Sequence, residues 1–262
     1  MVAGKPMRVA AIDCGTNSIR LLIADIDGNN FREVVRDMEI VRLGQGVDQT
    51  GQFHPDAITR TLAAVDKFAA EVVKRGVEKI RFCATSATRD ATNRHLFVDG
   101  VRERLGIEPE VIPGEVEAAL SFQGATKDFD KADGPFLVID IGGGSTEFVF
   151  GTDHVEFAKS MNIGCVRMSE RHFTGGDADP GQIAAAIEDI DEVMLMLQRI
   201  DTKKPLNLII HTEGGTSCCA DAVSYLLTSH NLDVYTNVPQ YAQSAGTMLA
   251  LCGKKIYCNW YS

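Results

Sequence analysis

The chain has no apolar run approaching the roughly 20 consecutive residues that a membrane-spanning helix needs. Its first residues, Met1 to Arg8, also lack the apolar core of a signal peptide. A cytoplasmic protein with no membrane partner is the expectation. Metal-ligand spacing is missing from the 7 cysteines, whose odd number and scatter suit a reducing compartment better than a disulfide framework. Positive charge is in short supply: 26 Lys and Arg against 36 Asp and Glu leave a net −10. Such a chain repels nucleic acid overall, so no nucleic-acid partner is expected, and any polyanion must be met by a local basic cleft or by metal ions. What is present is ordinary globular composition, 45% hydrophobic and 24% charged, in 262 residues that can form two lobes with cores of their own.

Two glycine loops of one pattern stand far apart in this chain. The first is Ile12-Asp13-Cys14-Gly15-Thr16-Asn17-Ser18, the second Ile139-Asp140-Ile141-Gly142-Gly143-Gly144-Ser145-Thr146-Glu147. Each lies between apolar runs, which reads as strand, tight turn, strand, with an Asp at the exit of the first strand. Glycines let the backbone turn sharply and point successive N–H groups inward, making a nest for phosphate oxygens. The Asp places a carboxylate beside the nest, where it can hold a metal ion or a water. One such loop is compatible with an ordinary hairpin. Two, each heading its own half, point to a duplicated domain that binds a phosphorylated ligand.

Patterning along the chain predicts strands over Arg8–Ile12, Ile19–Asp25, Arg32–Leu43 and Lys79–Ala84, and a helix over Pro55–Arg75 with Ile58, Leu62, Val65, Phe68 and Val72 on one face. A helix is expected over Asn93–Leu105, a strand over Glu110–Ile112 and a helix from Val116. The polar stretch Asp128–Gly134 reads as a boundary, giving a first lobe at 1–127 and the start of a second at 128–193. A strand near Val155–Lys159 and helices over Cys165–Phe173 and Pro180–Leu197 follow the second loop. The fold class is α/β in two lobes.

Four blocks then carry a resemblance: the first loop; Ala84-Thr-Ser-Ala-Thr-Arg89 with Asn93; Gly114-Glu-Val-Glu-Ala118; and Asp140 to Glu147. With Ile163-Gly-Cys-Val-Arg167 and Glu170-Arg171 they resemble, in order and spacing over 7–193, the exopolyphosphatase/guanosine-pentaphosphate phosphohydrolase (Ppx/GppA) family. That resemblance implies the actin-like fold of sugar kinases and heat-shock chaperone ATPases. It also implies a phosphohydrolase that releases the terminal phosphate of polyphosphate or guanosine pentaphosphate with Mg²⁺, and it is compatible with a homodimer. Glu117 would orient or deprotonate the attacking water, and Arg89 would neutralise the phosphate. The phosphate would be bound by Gly15, Thr16, Asn17, Ser18 and Arg20 of the first loop and by Gly142, Gly143, Gly144, Ser145 and Thr146 of the second. Asp140, Glu147 and Asp13 would serve the metal. On chemistry alone, Arg89 just past a buried strand can grip two phosphate oxygens or make a surface ion pair. Glu117 in a helix's first turn also suits the helix dipole, and Ser86 and Asn93 suit helix capping.

The segment 194–262 departs from this pattern. Leu206-Asn-Leu-Ile-Ile-His-Thr-Glu-Gly-Gly215 and Val238-Pro-Gln-Tyr-Ala-Gln-Ser-Ala-Gly-Thr-Met-Leu249 resemble the serine dehydrogenase proteinase group of the ClpP/crotonase superfamily. That implies an oxyanion hole at Gly214 and Gly215 and a nucleophile at Ser244. A nucleophile needs a base, and none is evident in the short remainder. The alternative for Gly214-Gly215-Thr216 is the later glycine motif of an actin-like second lobe. The expectation is an incomplete or hybrid second lobe. A phosphate or nucleotide binder without turnover, a Ser244 peptidase fragment and a sugar-kinase-like ATPase stand as alternatives to the hydrolase.

Overall fold

The structure, a computed structural model, describes residues 6–28, 30–172, 181, 182, 185, 206–210, 233–238, 247 and 250–258. The chain divides into two compact units, 1–113 and 114–262.

The first unit opens with β1 (Met7–Cys14), β2 (Ser18–Asp27) and β3 (Asn30–Ile40), an antiparallel meander. The short α1 (Val47–Thr50) follows, then α2 (Pro55–Arg75) and β4 (Lys79–Ala84), which lies parallel to β1. Next come α3 (Ser86–Asp90), α4 (His95–Leu105) and β5 (Glu110–Val111), giving the sheet order β3-β2-β1-β4-β5. The α2 span matches the apolar face read from the sequence, with Pro at its first turn and Gly76 in the left-handed region closing it. The single helix expected over Asn93–Leu105 begins at His95 and is preceded by the separate α3. Its core is aromatic: the Phe97 ring meets Phe53 and Phe82 edge-on at 6.1 and 6.2 Å. A buried Asp25 ties the sheet to the end of α2. It accepts from Arg8 at 2.7 and 3.0 Å and from Arg32, while Arg8 also donates to the Arg75 carbonyl. The Arg8 hydrogen bond is the main reason that the Asp25 carboxyl is held down to about 2.

The second unit begins with α5 (Gly114–Thr126), then β6 (Phe136–Ile141), β7 (Thr146–Gly151) and β8 (Val155–Met161), again an antiparallel meander. After α6 (Cys165–His172), β9 (Leu206–Ile210), β10 (Val234–Val238) and β11 (Lys255–Cys258) run parallel to β6. The sheet order is β11-β10-β9-β6-β7-β8. Outward from β6 this repeats the first unit strand for strand, with β9 and β10 where β4 and β5 stand beside β1. Phe122 and Ala118 of α5 pack with Phe136, Val138, Val149 and Ile209 of the sheet.

Two expectations change here. The lobe boundary falls at Pro113/Gly114 rather than 127/128, because α5 lays its apolar face on β6–β8. Glu117 therefore belongs to the second unit. The segment beyond 194 is not a separate body, since its strands complete the sheet that β6 starts. Gly214, Gly215, Ser244 and almost all of the helix expected over 180–197 lie outside the described residues. Among the described residues, no helix is long and apolar enough to cross a membrane.

Asn93 braces the loop before α2 instead of capping α4, whose N-cap is Arg94. Its carboxamide accepts from the Phe53 N–H at 2.8 Å and donates to the Phe53 carbonyl at 3.1 Å. Asn93→Ala should cost about 1–3 kcal/mol in urea unfolding, because two part-buried backbone groups lose their partner.

Candidate active site

Each glycine loop closes by the same bond. The Gly15 N–H donates to the Ser18 carbonyl at 2.9 Å, and the Gly142 N–H donates to the Ser145 carbonyl at 3.0 Å. In both, the loop's carbonyl oxygens are taken up from behind. In the first unit, Val41 and Arg42 donate to the Asn17 carbonyl at 2.9 and 2.8 Å, and Gly44 donates to that of Thr16 at 2.9 Å. In the second, Cys165 donates to the Gly142 carbonyl and Val166 and Arg167 to that of Gly143, at 2.9, 2.9 and 3.0 Å. The Arg167 Nε completes the set on the Gly144 carbonyl at 2.7 Å. With the carbonyls held back, the remaining loop amides are free to act as an anion nest.

Gly164 makes the second arrangement possible. A Cβ there would lie 2.3 Å from Gly143 C and from Gly144 N, both backbone atoms that cannot swing away. The Thr146 hydroxyl braces the same junction by donating to the Ile163 carbonyl at 3.1 Å, so that group is committed to structure.

Three of the four acids expected at the site gather on one face of the second unit, while Asp13 lies on β1 of the first. Asp140, Glu147 and Ser160 face one another across β6, β7 and β8, with Asp140 opposite Glu147 and Glu147 opposite Ser160. Helix α5 covers this row. Gly114 at its first position lies so near that an added Cβ would be 2.6 Å from Ser160 Cβ. One turn on stands Glu117, and one further turn brings Ser121, whose hydroxyl donates to Asp140 Oδ2 at 2.6 Å. Ser160 donates to Glu147 Oε1 at 2.7 Å, and Ser145 hydrogen-bonds the same carboxyl.

Glu147 is 1% exposed, and its carboxyl is pushed up to about 8. Burial is the largest cause, and the negative charges of Glu117 and Asp140 add to it; the two serine hydrogen bonds oppose it. Opposed like charges across a strand pair destabilise each other, and a proton or a cation relieves them. This all-oxygen donor set suits a hard divalent ion such as Mg²⁺. Among the described residues, no three acids, histidines or cysteines are grouped closely enough to enclose a metal by themselves. Such an ion would complete its shell with water or phosphate oxygens, as Mg²⁺ commonly does.

The first unit gathers guanidinium groups. Arg20 stands opposite Asp13 on the β1–β2 hairpin that carries the loop. Arg89 lies on α3, whose N-cap Thr85 donates its N–H to the Cys14 carbonyl at 3.1 Å, next to the loop. One Arg89 N–H holds the Ile112 carbonyl at 2.8 Å. Ser86 is the buried first residue of α3, whose N-cap is Thr85, so it does not hold the capping position open to it from sequence.

Gly164, Ser121 and Ser160 were not singled out from sequence. Ser121 had a local signal, since it sits four residues after Glu117 on the same helix face. Gly164 lies in the Ile163–Arg167 block quoted for the resemblance, but its role arises from loop contact; Ser160 had no signal, because its role arises from strand pairing.

Residues 22–254 match the Ppx/GppA phosphatase family. The exopolyphosphatase 2 of Mycobacterium tuberculosis is 50% identical over 173 residues, covering 63% of this chain and 54% of that protein. The guanosine-5'-triphosphate,3'-diphosphate pyrophosphatase of Vibrio vulnificus is 33% identical over 195 residues, covering 74% of this chain and 39% of that protein. A crystal structure of an exopolyphosphatase-like protein superposes with a TM-score of 0.74 at 42% identity, over 88% of this chain and 72% of the other. The chain thus spans about half the length of the mycobacterial relative, 54%. These matches bear out the actin-like α/β fold. The family match runs to residue 254, so the expectation that the resemblance ends near 194 is corrected. Nothing in the comparisons supports the protease-like reading of that segment.

Two outcomes test this geometry. Gly164→Ala should destabilise the protein by roughly 1–3 kcal/mol in thermal or urea unfolding, because the loop backbone must move. For Glu147, the folded chain keeps a proton that the unfolded chain gives up above its ordinary value of 4.5. Stability should therefore fall as pH rises from 4.5 towards about 8. The slope is at most about 1.4 kcal/mol per pH unit. Urea unfolding near both ends of that window should show the slope in the wild type and a flatter profile in Glu147→Gln.

Proposed function

Since this chain belongs to the Ppx/GppA phosphatase family, we propose that it hydrolyses the terminal phosphoanhydride bond of polyphosphate or of guanosine pentaphosphate. The observation that carries this reading is the acid face of the second unit. There Glu117 of α5 stands over Asp140 and Glu147, in the unit that also presents the Gly142–Ser145 loop. Phosphate binding alone has no use for a carboxylate held among like charges, whereas activating a water does.

The terminal phosphoryl group gathers negative charge as the bond to the leaving oxygen breaks, so oriented dipoles and cations matter most. Loop amides bind its oxygens, and the Arg89 guanidinium neutralises their charge. Glu117 orients a water and takes its proton as the water oxygen bonds to phosphorus. The bridging P–O bond breaks, and the leaving group departs one phosphate shorter. Ser121 and Ser160 fix the directions of the Asp140 and Glu147 carboxylates. Mg²⁺ held by Asp140 and Glu147 would supply positive charge to the phosphate oxygens.

Both substrates share a terminal phosphoanhydride. Similarity to an exopolyphosphatase and to a guanosine-pentaphosphate pyrophosphatase supports both. The protein is expected to act without a nucleic-acid or membrane partner, in the cytoplasm, and a homodimer is compatible with the family.

The experiment is phosphate release from long-chain polyphosphate and from guanosine pentaphosphate, with and without Mg²⁺. Metal-dependent release supports the reading, and Glu117→Gln should lower turnover by at least about 100-fold while retaining substrate binding. Release undiminished in Glu117→Gln would sink the assigned role. Binding of either substrate by folded wild-type protein without release would favour a sensor.

A further inference from the structure

The first glycine loop is held by a strap, residues 41–44, that has a backbone cost of its own. Two strap amides, those of Val41 and Arg42, converge on the Asn17 carbonyl, and the amide of Gly44 takes that of Thr16. Arg60 of α2 braces the strap from outside, donating to the Val41 carbonyl at 3.1 Å and to Gln45 Oε1 at 2.9 Å. Gly44 is required by space: an added Cβ would lie 2.2 Å from Thr16 Cγ2. Arg42 is the anomaly. Its φ of 49° makes it the one described non-glycine residue with positive φ. That is backbone territory where glycine is at ease and a side chain is not.

An arginine kept where glycine would fit more easily needs a use for its side chain. Arg42 is exposed, and its side chain makes no hydrogen bond or ion pair among the described residues. Its backbone N–H is bonded to the loop itself, 2.8 Å from the Asn17 carbonyl. A guanidinium hung from that point has the phosphate-binding loop within the reach of its own side chain, and it offers planar paired donors that match phosphate oxygens. Thr16 and Ser18 of the loop are buried, whereas Arg42 is exposed. The part of a phosphate chain that the loop does not hold stays in solvent, where an exposed guanidinium can meet it.

We propose that Arg42 is a substrate-binding residue of the first loop. It contacts phosphates beyond the terminal one and so sets affinity for a phosphate chain more than the rate of its cleavage. This rests on the reading of the substrate as a chain of phosphates, and it adds a subsite to that reading. The strain at Arg42 is then the cost of aiming a guanidinium from a strap whose own amides are committed to the loop.

The test uses Arg42→Gly, Arg42→Ala and Arg42→Lys, with tripolyphosphate and long-chain polyphosphate as probes in calorimetric binding and, where turnover occurs, in steady-state kinetics. Arg42→Gly should melt no lower than wild type, since it relieves the backbone, yet bind long-chain polyphosphate about tenfold or more weakly. KM should rise by more than kcat falls, the salt dependence of binding should flatten, and Arg42→Lys should recover part of the loss. A merely structural arginine would give the opposite pattern, with Arg42→Gly unimpaired in binding; equal affinity in wild type, Arg42→Gly and Arg42→Ala overturns the proposal. Tripolyphosphate bound more tightly by wild type than by Arg42→Gly, without phosphate release by either, removes the hydrolase reading and keeps this one. No binding by wild type overturns both.

Discussion

The rest of the site depends on where the loop carbonyls go. A glycine turn can present its amides to an anion only if its carbonyl dipoles do not point the same way, since an oxygen aimed at phosphate would repel it. Both halves of this protein meet that requirement by satisfying the carbonyls from behind, but with different hardware. A strap from the β3–α1 connection serves the first loop, and the opening turn of α6 serves the second. In the second case the N–H groups that begin a helix, which lack partners within it, find them in the loop. One contact thus caps a helix and shapes an anion nest. It also leaves no room for a Cβ at position 164, where loop and helix backbones meet.

The second constraint is the burial of carboxylates. Glu147 is enclosed between a helix and a sheet, opposite one acid and near another, which is unfavourable in the absence of substrate and cation. Two serines from different elements offset part of that cost and hold the carboxyls in fixed directions. The helix that brings Glu117 also brings Ser121, and its first glycine lets it approach Ser160. The Gly-x-x-Glu pattern at 114–117 is in that sense a spacing device: the glycine sets how close the helix lies and the glutamate follows one turn later.

Much of this was legible in the sequence where the determinants are local. The two turns, the span of α2 and the strands that flank the loops follow from glycine placement, apolar periodicity and capping residues, and the structure has them at the expected positions. The lobe boundary was misplaced because Asp128–Gly134 has the polar composition of a linker, while the actual break at Pro113–Gly114 precedes a helix whose partner is a sheet still to come. Ser160 became visible only through the register of β7 against β8, a tertiary fact. Beyond residue 194, short glycine and serine motifs pointed to a protease-like fragment. Pairing of β9 to β11 along β6 is a property of whole strands, and it joins the segment to the second sheet. Motifs of two or three residues carry less information about fold than the strands between them.

The duplicated topology makes the differences between the halves informative. Strand order out from the loop strand is the same in both units, and so is the hydrogen bond that closes each turn. The side chains around the turns differ in their balance of charge. Arg20, Arg42 and Arg89 stand on the elements that carry or hold the first loop, with Asp13 beside them, whereas Glu117, Asp140 and Glu147 stand at the second, with Arg167 beside them. A chain of net charge −10 cannot attract a polyanion by its overall field, so basic groups must be concentrated where the anion is held. Water activation and cation binding need carboxylates, which would weaken a phosphate nest if they were interleaved with its guanidiniums. On the function proposed above, two copies of one scaffold let most of the acids and most of the guanidiniums stand apart. Each copy keeps the same closed turn, and the residues around it differ.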